Sequence, residues 1–153
     1  MNRIGYFYVA AVVFACGCSG GSHRDSMIGT EILPGSAYRL EIRDMPESRR
    51  FELSLSSLTS SSICISVEEW PNARGELSDG SQRAAVVLST GEVRAAKDYN
   101  FGYCPGGCGQ LAVSGYQTLT GYITYDAIAL QSLSEESAPK ELRFSVTPVR
   151  CAR

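Results

Sequence analysis

The sequence predicts an all-β domain built as an antiparallel β-sandwich, with a small closed barrel as the alternative. Three observations predict it. Apolar and polar residues alternate with a period of two in one segment after another, which puts one face of each strand in a core and the other in water. Turn residues separate these segments at short intervals: Pro34-Gly35, Pro46-Glu47, Pro71-Asn72, Asp79-Gly80, Thr90-Gly91, Pro105-Gly106 and Ser114-Gly115. No stretch sustains the apolar spacing of an amphipathic helix. Strict alternation belongs to antiparallel sheets, because the strands of parallel sheets are buried on both faces and read as continuous apolar runs.

The elements follow in order. Tyr38, Leu40 and Ile42 alternate with Arg39, Glu41 and Arg43 to give the first strand. Phe51, Leu53 and Leu55 alternate with Glu52, Ser54 and Ser56 to give the second. In the third, Ile63, Ile65 and Val67 alternate with Cys64, Ser66 and Glu68. This places Cys64 on the face opposite the isoleucines, on an outer face or an edge, unless a bulge changes the register. Ala84–Leu88 is a short continuous apolar run, as expected of a central strand. Residues 111–113 and 119–125 make two more strands, and residues 127–134 a short helix or turn. Leu142, Phe144 and Val146, alternating with Arg143, Ser145 and Thr147, form the last strand. A set of roughly seven to nine short strands with regular turns is the pattern of a sandwich. The stretch from Leu111-Ala112-Val113-Ser114-Gly115 through Gly121-Tyr122-Ile123-Thr124-Tyr125 resembles an edge hairpin of bacterial immunoglobulin-like modules. That resemblance implies an immunoglobulin-like sandwich and assigns no site residues.

Ahead of the strands the chain reads MNRIGYFYVAAVVFACGC over residues 1–18. Arg3 supplies a positive charge, and residues 4–15 form an apolar run. The run is shorter than the roughly 20 residues that span a bilayer and has the proportions of a signal-peptide core. It ends in Ala15-Cys16-Gly17-Cys18, which resembles a bacterial lipobox: an aliphatic residue, two small residues, then the cysteine that is diacylated and becomes the mature N-terminus. Two registers fit. Val13-Phe14-Ala15-Cys16 has a good first residue and a bulky second one, whereas Ala15-Cys16-Gly17-Cys18 has a weak first residue and the favoured glycine before the cysteine. Thiol parity favours Cys18, with Cys16 as the alternative. Cleavage before Cys18 leaves Cys64, Cys104, Cys108 and Cys151, an even set, whereas cleavage before Cys16 leaves Cys18 as an odd thiol.

The resemblance covers residues 1–18 alone. It implies a lipoprotein signal peptide over residues 1–17 and a membrane contact through the N-terminal lipid. Ser19, standing where an Asp would act as a retention signal, implies the outer membrane, facing the periplasm. Residues 18–30 are small and polar and read as a flexible tether. Residues 31–153 are then the folded domain.

Four cysteines in an exported domain imply disulfides, with three possible pairings. Cys104-Pro105-Gly106-Gly107-Cys108 is a tight, glycine-rich turn whose ends can approach each other, which leaves Cys64 with Cys151. The Cys104 and Cys108 spacing is longer than the C-x-x-C of thioredoxin-like redox motifs, and no βαβ pattern surrounds it. A zinc site would need all four thiols in an oxidising space. No metal and no cofactor are therefore expected.

Composition narrows the function. At 153 residues, 44% of them hydrophobic and 20% charged, the chain has the size and make-up of one globular domain. The net charge of −2 gives no basic footprint for nucleic acid. The single histidine, His23, lies in the tether, so the folded domain cannot build a Ser-His-Asp triad, a Cys-His pair or a three-histidine metal site. Glu68-Glu69-Trp70-Pro71-Asn72 sets two carboxylates beside an aromatic, as glycosidases do. Neighbours on a strand face opposite sides, however, so a second acid such as Asp98 or Asp126 would be needed. The simpler reading is a solvated glutamate with Trp70 plugging the core edge. Asp98-Tyr99-Asn100-Phe101-Gly102-Tyr103 brings three aromatics to the start of the cysteine turn. They read either as one face of a buried strand or as a rigid recognition surface. The candidate binding surface is thus Trp70, Tyr99, Phe101 and Tyr103. The expected function is that of a non-catalytic cell-envelope lipoprotein, a binding or structural module with a protein or glycan partner. The alternative is an inhibitor of a lysozyme or protease, with the 104–108 loop as its wedge. No enzyme activity is expected.

Overall fold

The computed structural model describes residues 31–100, 108–130 and 132–151. The leader, Cys16, Cys18, the tether, Phe101, Tyr103 and Cys104 lie outside the described residues. Among the described residues the domain is all-β, with antiparallel strands in three small sheets and no closed barrel. The first sheet runs β1 (Tyr38–Met45), β2 (Arg50–Ser57), β7 (Thr118–Thr124). The second runs β6 (Gln110–Val113), β3 (Ile63–Ser66), β9 (Val149–Arg150). The third runs β5 (Val93–Ala95), β4 (Ala84–Leu88), β8 (Lys140–Phe144). Two short helices, α1 (Gly80–Arg83) and α2 (Leu133–Ser137), sit in the connections.

The alternation in β2 sets the frame. Phe51, Leu53 and Leu55 are fully buried, while Glu52, Ser54 and Ser56 face outward. Arg49 reverses the chain into β2 from the left-handed region, at φ 50°, after the turn Pro46–Ser48. The register then pairs Met45 with Arg50 and Tyr38 with Ser57, matching period to period. The inner residues of all three sheets meet in one cluster that includes Phe51, Leu55, Ile65, Val86, Ile123 and Leu142. Ala84–Leu88 is the central strand of its sheet, as its apolar run predicts.

Three expectations are corrected. The third strand does not have the open face its alternation suggests at Cys64: Cys64 is buried together with Ile63 and Ile65, although Ala112, paired with it across the sheet, is exposed. It also ends at Ser66, whose hydroxyl accepts the Glu68 N–H at 3.3 Å and starts the turn Val67–Glu69, leaving Val67 exposed. The two strands of the expected hairpin do not pair with each other. β6 joins β3 and β7 joins β2, each as an edge strand of a different sheet. The last alternating segment forms β8 only to Phe144, so Val146 lies beyond it.

A disulfide joins Cys64 to Cys151, with a Cα separation of 5.0 Å. It is the pairing that the cysteine turn leaves over, and the register of β9 explains it. Val149 pairs with Cys64, which brings Cys151 beside the central strand. Cys108 is also disulfide-bonded.

Charges sit at one inner corner. The Lys140 side chain is fully buried, with Nζ 3.0 Å from Asp44 Oδ2 and donating to the carbonyls of Glu136 and Ala138. All three ammonium donors therefore have acceptors. The buried Tyr125 donates its hydroxyl to Asp44 Oδ1 and turns its ring to Lys140 Nζ, 4.6 Å from the centroid, in a cation–π contact. Burial, reinforced by the hydrogen bond and the charge of Asp44, pushes the Tyr125 hydroxyl well above the ordinary tyrosine range. Arg49 closes the corner from outside, 2.7 Å from Glu136 and 3.1 Å from Asp126. Bonding to Glu136 first, then its charge and that of Asp126, raises the guanidinium pKa.

Candidate functional site

The chain builds a cleft where the segment after β3 meets the free side of β7. The turn Val67–Glu69 swings Trp70 inward, leaving it 4% exposed and edge-on to Phe144 with ring centroids 6.0 Å apart. The indole lies against Gly121, where a Cβ would stand 2.6 Å from Trp70 Nε1. Gly121 is therefore needed for the close approach, and its lack of a side chain leaves the Trp70 rim to face the cleft.

Asn72 then organises a compact turn. Its Oδ1 accepts the N–H groups of Arg74 at 2.8 Å and Glu76 at 3.1 Å, and its Nδ2 donates to Glu76 Oε2 at 3.0 Å. This is a side chain standing in for backbone, the usual work of asparagine in turns. Gly75 completes it at φ 75°, and a Cβ there would meet the Tyr122 ring at 2.7 Å. Tyr122 thus packs on bare backbone and donates its hydroxyl to the Ala73 carbonyl at 2.6 Å. Arg50, from β2, places its guanidinium carbon 5.0 Å from the centre of the Tyr122 ring and pairs with Glu52 at 2.7 Å. Arg50 Nε is buried and has no partner among the described residues.

The resulting cleft has a volume of about 670 Å³, within the usual range for ligand sites. It is lined by Trp70, Pro71, Asn72 and Ala73 from the segment after β3, by Leu119, Thr120, Gly121 and Tyr122 of β7, by Arg50 and Glu52 of β2, and by Leu111. Its electrostatics are balanced, since Glu52 is paired with Arg50 and Glu76, beside Asn72, with Arg74 at 2.9 Å. The side chains therefore offer shape, aromatic faces and fixed dipoles.

The structure separates the residues singled out from sequence. Trp70 is a core residue with one rim on the cleft, as the plug reading has it. Tyr99 is half-buried against the core and donates its N–H to the Leu77 carbonyl at 3.0 Å. Phe101 and Tyr103 lie outside the described residues. Glu69 is buried, paired with Arg83 at 2.8 Å and accepting the Thr147 N–H at 2.9 Å, so it works as a brace beneath Trp70. Asp98 accepts both the N–H and the hydroxyl of Ser81, and Asp126 serves Arg49. These acids are not brought to one point with Glu68. Among the described residues no three His, Cys, Asp or Glu side chains are placed to hold a metal, and no described helix is long and apolar enough to cross a membrane.

Sequence reasoning missed Arg50, Asn72 and Tyr122. In a list of strands, Tyr122 and Arg50 look like ordinary outward residues. The one local signal was the Asn72-Ala73-Arg74-Gly75 turn, whose glycine makes room for a ring that the sequence does not identify. Comparison of the chain with protein-family models, with curated proteins and with solved structures finds no match.

Proposed function

We propose that the chain is a lipid-anchored cell-envelope protein whose β domain is a non-catalytic binding module, with the cleft between Trp70 and Tyr122 as its contact surface. One observation carries the reading: the cleft is preformed. Tyr122 is tied to Ala73, Asn72 to Glu76, and Arg50 to both Glu52 and the Tyr122 ring. Walls already fixed by their own hydrogen bonds lose little entropy when a ligand arrives. Its carboxylate, Glu52, is matched by a guanidinium, an arrangement suited to holding a shape rather than to moving protons. The partner class is an envelope protein or glycan. The scaffold is read as an immunoglobulin-like sandwich, a reading supported by antiparallel strands packed around one core. The lipobox resemblance supports the anchor, with Cys18 as the lipidated residue, and the oxidised Cys64 and Cys151 fit an exported domain.

Two experiments test this. In cells fed a palmitate analogue, the wild-type chain and Cys16→Ala take up label and Cys18→Ala does not. The reverse pattern moves the lipid to Cys16, and an unlabelled wild type refutes the anchor. In sedimentation and pull-down with separated peptidoglycan and envelope-protein fractions, the mature wild-type chain is retained by one fraction, and Tyr122→Ala weakens retention roughly tenfold or more. Glu47→Ala, on an exposed turn away from the cleft, serves as the control. Equal retention of wild type and Tyr122→Ala, or retention of neither, overturns the cleft as a binding site.

A further inference from the structure

The cleft exposes an unpaired sheet edge. Two backbone hydrogen bonds fix which groups of β7 face away from β2. Ser57 N–H donates to the Gln117 carbonyl and Tyr125 N–H to the Arg49 carbonyl, so the odd-numbered residues of this segment turn their backbone groups to β2. Thr124 N–H instead donates outward, to the Gly75 carbonyl at 3.2 Å. In an antiparallel strand the groups alternate. The N–H and C=O of Thr118, Thr120 and Tyr122 therefore all point to the free edge, and no described residue pairs with them there. Thr120, Gly121 and Tyr122 line the cleft from this edge, together with Trp70, Pro71 and Ala73.

We propose that the β7 edge at Thr118–Tyr122 is a docking site for an extended polypeptide segment of a partner, added as a further strand in the cleft. The inference rests on the binding-module reading and names its partner chemistry. Three observations favour this occupant. First, the row of alternating donors and acceptors is the complement of an extended backbone and of little else. Second, the chain already uses the same edge in this way at Thr124, where its own Gly75 supplies one rung and then turns away. Third, the two edges of the sheet are treated differently. At the opposite edge, β1 carries exposed Arg39, Glu41 and Arg43, the charged side chains with which proteins discourage strand addition. The β7 edge carries Thr118 and Thr120, both exposed and uncharged. The apolar rims of Trp70, Leu111 and Leu119 in the same cleft give alternate side chains of an added strand somewhere to rest.

The test uses the mature chain, labelled with ¹⁵N, and peptides of about eight residues selected against it from a random displayed library, long enough to cover the edge at roughly 3.4 Å per residue. The best peptide is made unmodified and with N-methyl groups at alternate residues in each of two registers. It is expected to slow hydrogen exchange at the Thr118, Thr120 and Tyr122 amides. One N-methyl register loses roughly tenfold or more in affinity, while the other, whose methyl groups face away, stays within about twofold. Thr120→Pro, which deletes one outward donor at an edge position that tolerates proline, weakens binding roughly tenfold, and Glu41→Ala, on the opposite edge of the sheet, does not. If Thr120→Pro fails to fold, the two N-methyl registers decide alone. Failure to select any peptide, or equal loss in both registers, overturns the proposal. A chitotetraose probe that shifts the Tyr122 and Trp70 resonances without protecting the edge amides overturns strand addition and leaves the binding module standing. A cleft unmoved by peptide and sugar alike removes both.

Discussion

Lys140 Nζ lies 3.0 Å from Asp44 Oδ2, and none of the lysine side chain is exposed. The pair ties β8 of one sheet to β1 of another. Removing one partner leaves a buried charge without its counterion, which costs about 3–5 kcal/mol. Asp44→Asn, which leaves the buried ammonium without its counterion, is expected to lower stability by that order in urea unfolding, and Lys140→Met, which leaves the 27% exposed Asp44, by less. The double variant Asp44→Leu/Lys140→Met is expected to recover much of the loss, because no lone charge remains. Additive losses in the double variant would show that the two groups act separately.

Tyr125 gives this corner a pH signature. Its folded pKa lies above the ordinary value of about 10, through burial first and then the bond to Asp44. Below about pH 10 both folded and unfolded tyrosine are neutral, and the contribution is fully present. As the pH rises further, the unfolded chain releases its proton while the folded one keeps it, so stability falls. Urea unfolding across pH 8–11.5, an alkaline range bracketing about 10, should show a decline that is shallower in Tyr125→Phe. Equal slopes in the two proteins would refute it.

Trp70 is the only tryptophan in the chain and reports on Gly121. In Gly121→Ala the new methyl group meets the indole, and overpacking of this kind costs about 1–3 kcal/mol. The displaced ring gains water contact, so its emission should shift to the red. Gly91→Ala is the comparison. That residue also has a glycine-type backbone, at φ 84°, but nothing lies within 4 Å of its Cβ position. It should lose stability without moving the emission. An unchanged Gly121→Ala spectrum would mean that the ring yields without leaving the core.

The bridge between Cys64 and Cys151 closes a loop with a sequence separation of 87. On the chain-entropy model such a closure stabilises by about 4–5 kcal/mol. Cys64→Ala/Cys151→Ala is expected to lose that amount in urea unfolding, and reductant should bring the wild type toward the same midpoint. A loss below about 1 kcal/mol would place the stability in the packing of β3 alone.

Much of the fold was legible because alternation is a local property. Phe51, Leu53 and Leu55 announce a half-buried strand whatever they pack against. The failures came where a neighbour decides. Cys64 reads as outward from its own strand, but it is bonded to Cys151, a partner 87 positions away that its own strand does not announce, and it is buried. The segments around Ser114-Gly115 read as a hairpin because a short turn usually joins partners. Here Tyr116 takes the left-handed region at φ 58°, and its N–H bonds to the Thr59 carbonyl as the chain passes from one sheet to another. β5 and β9 are too short to carry a pattern. The site was harder still. Trp70 was rightly read as a plug, but the cleft beside it depends on Gly75 and Gly121 lying next to rings more than fifty positions away or nearly so, and a glycine in a sequence does not say what it makes room for.

The bond at Cys151 has one more consequence. It joins a central strand to a residue 87 positions further along, so every strand from β3 to β9 must be made before the ring can shut. Until then β3 has no β9 beside it, and Cys64 keeps a free thiol. A polypeptide broken off anywhere before Cys151 stays in that open condition permanently. Covalent closure in this protein therefore reports that the chain has been made through β9, and an unclosed chain is marked by the same thiol that would have sealed it.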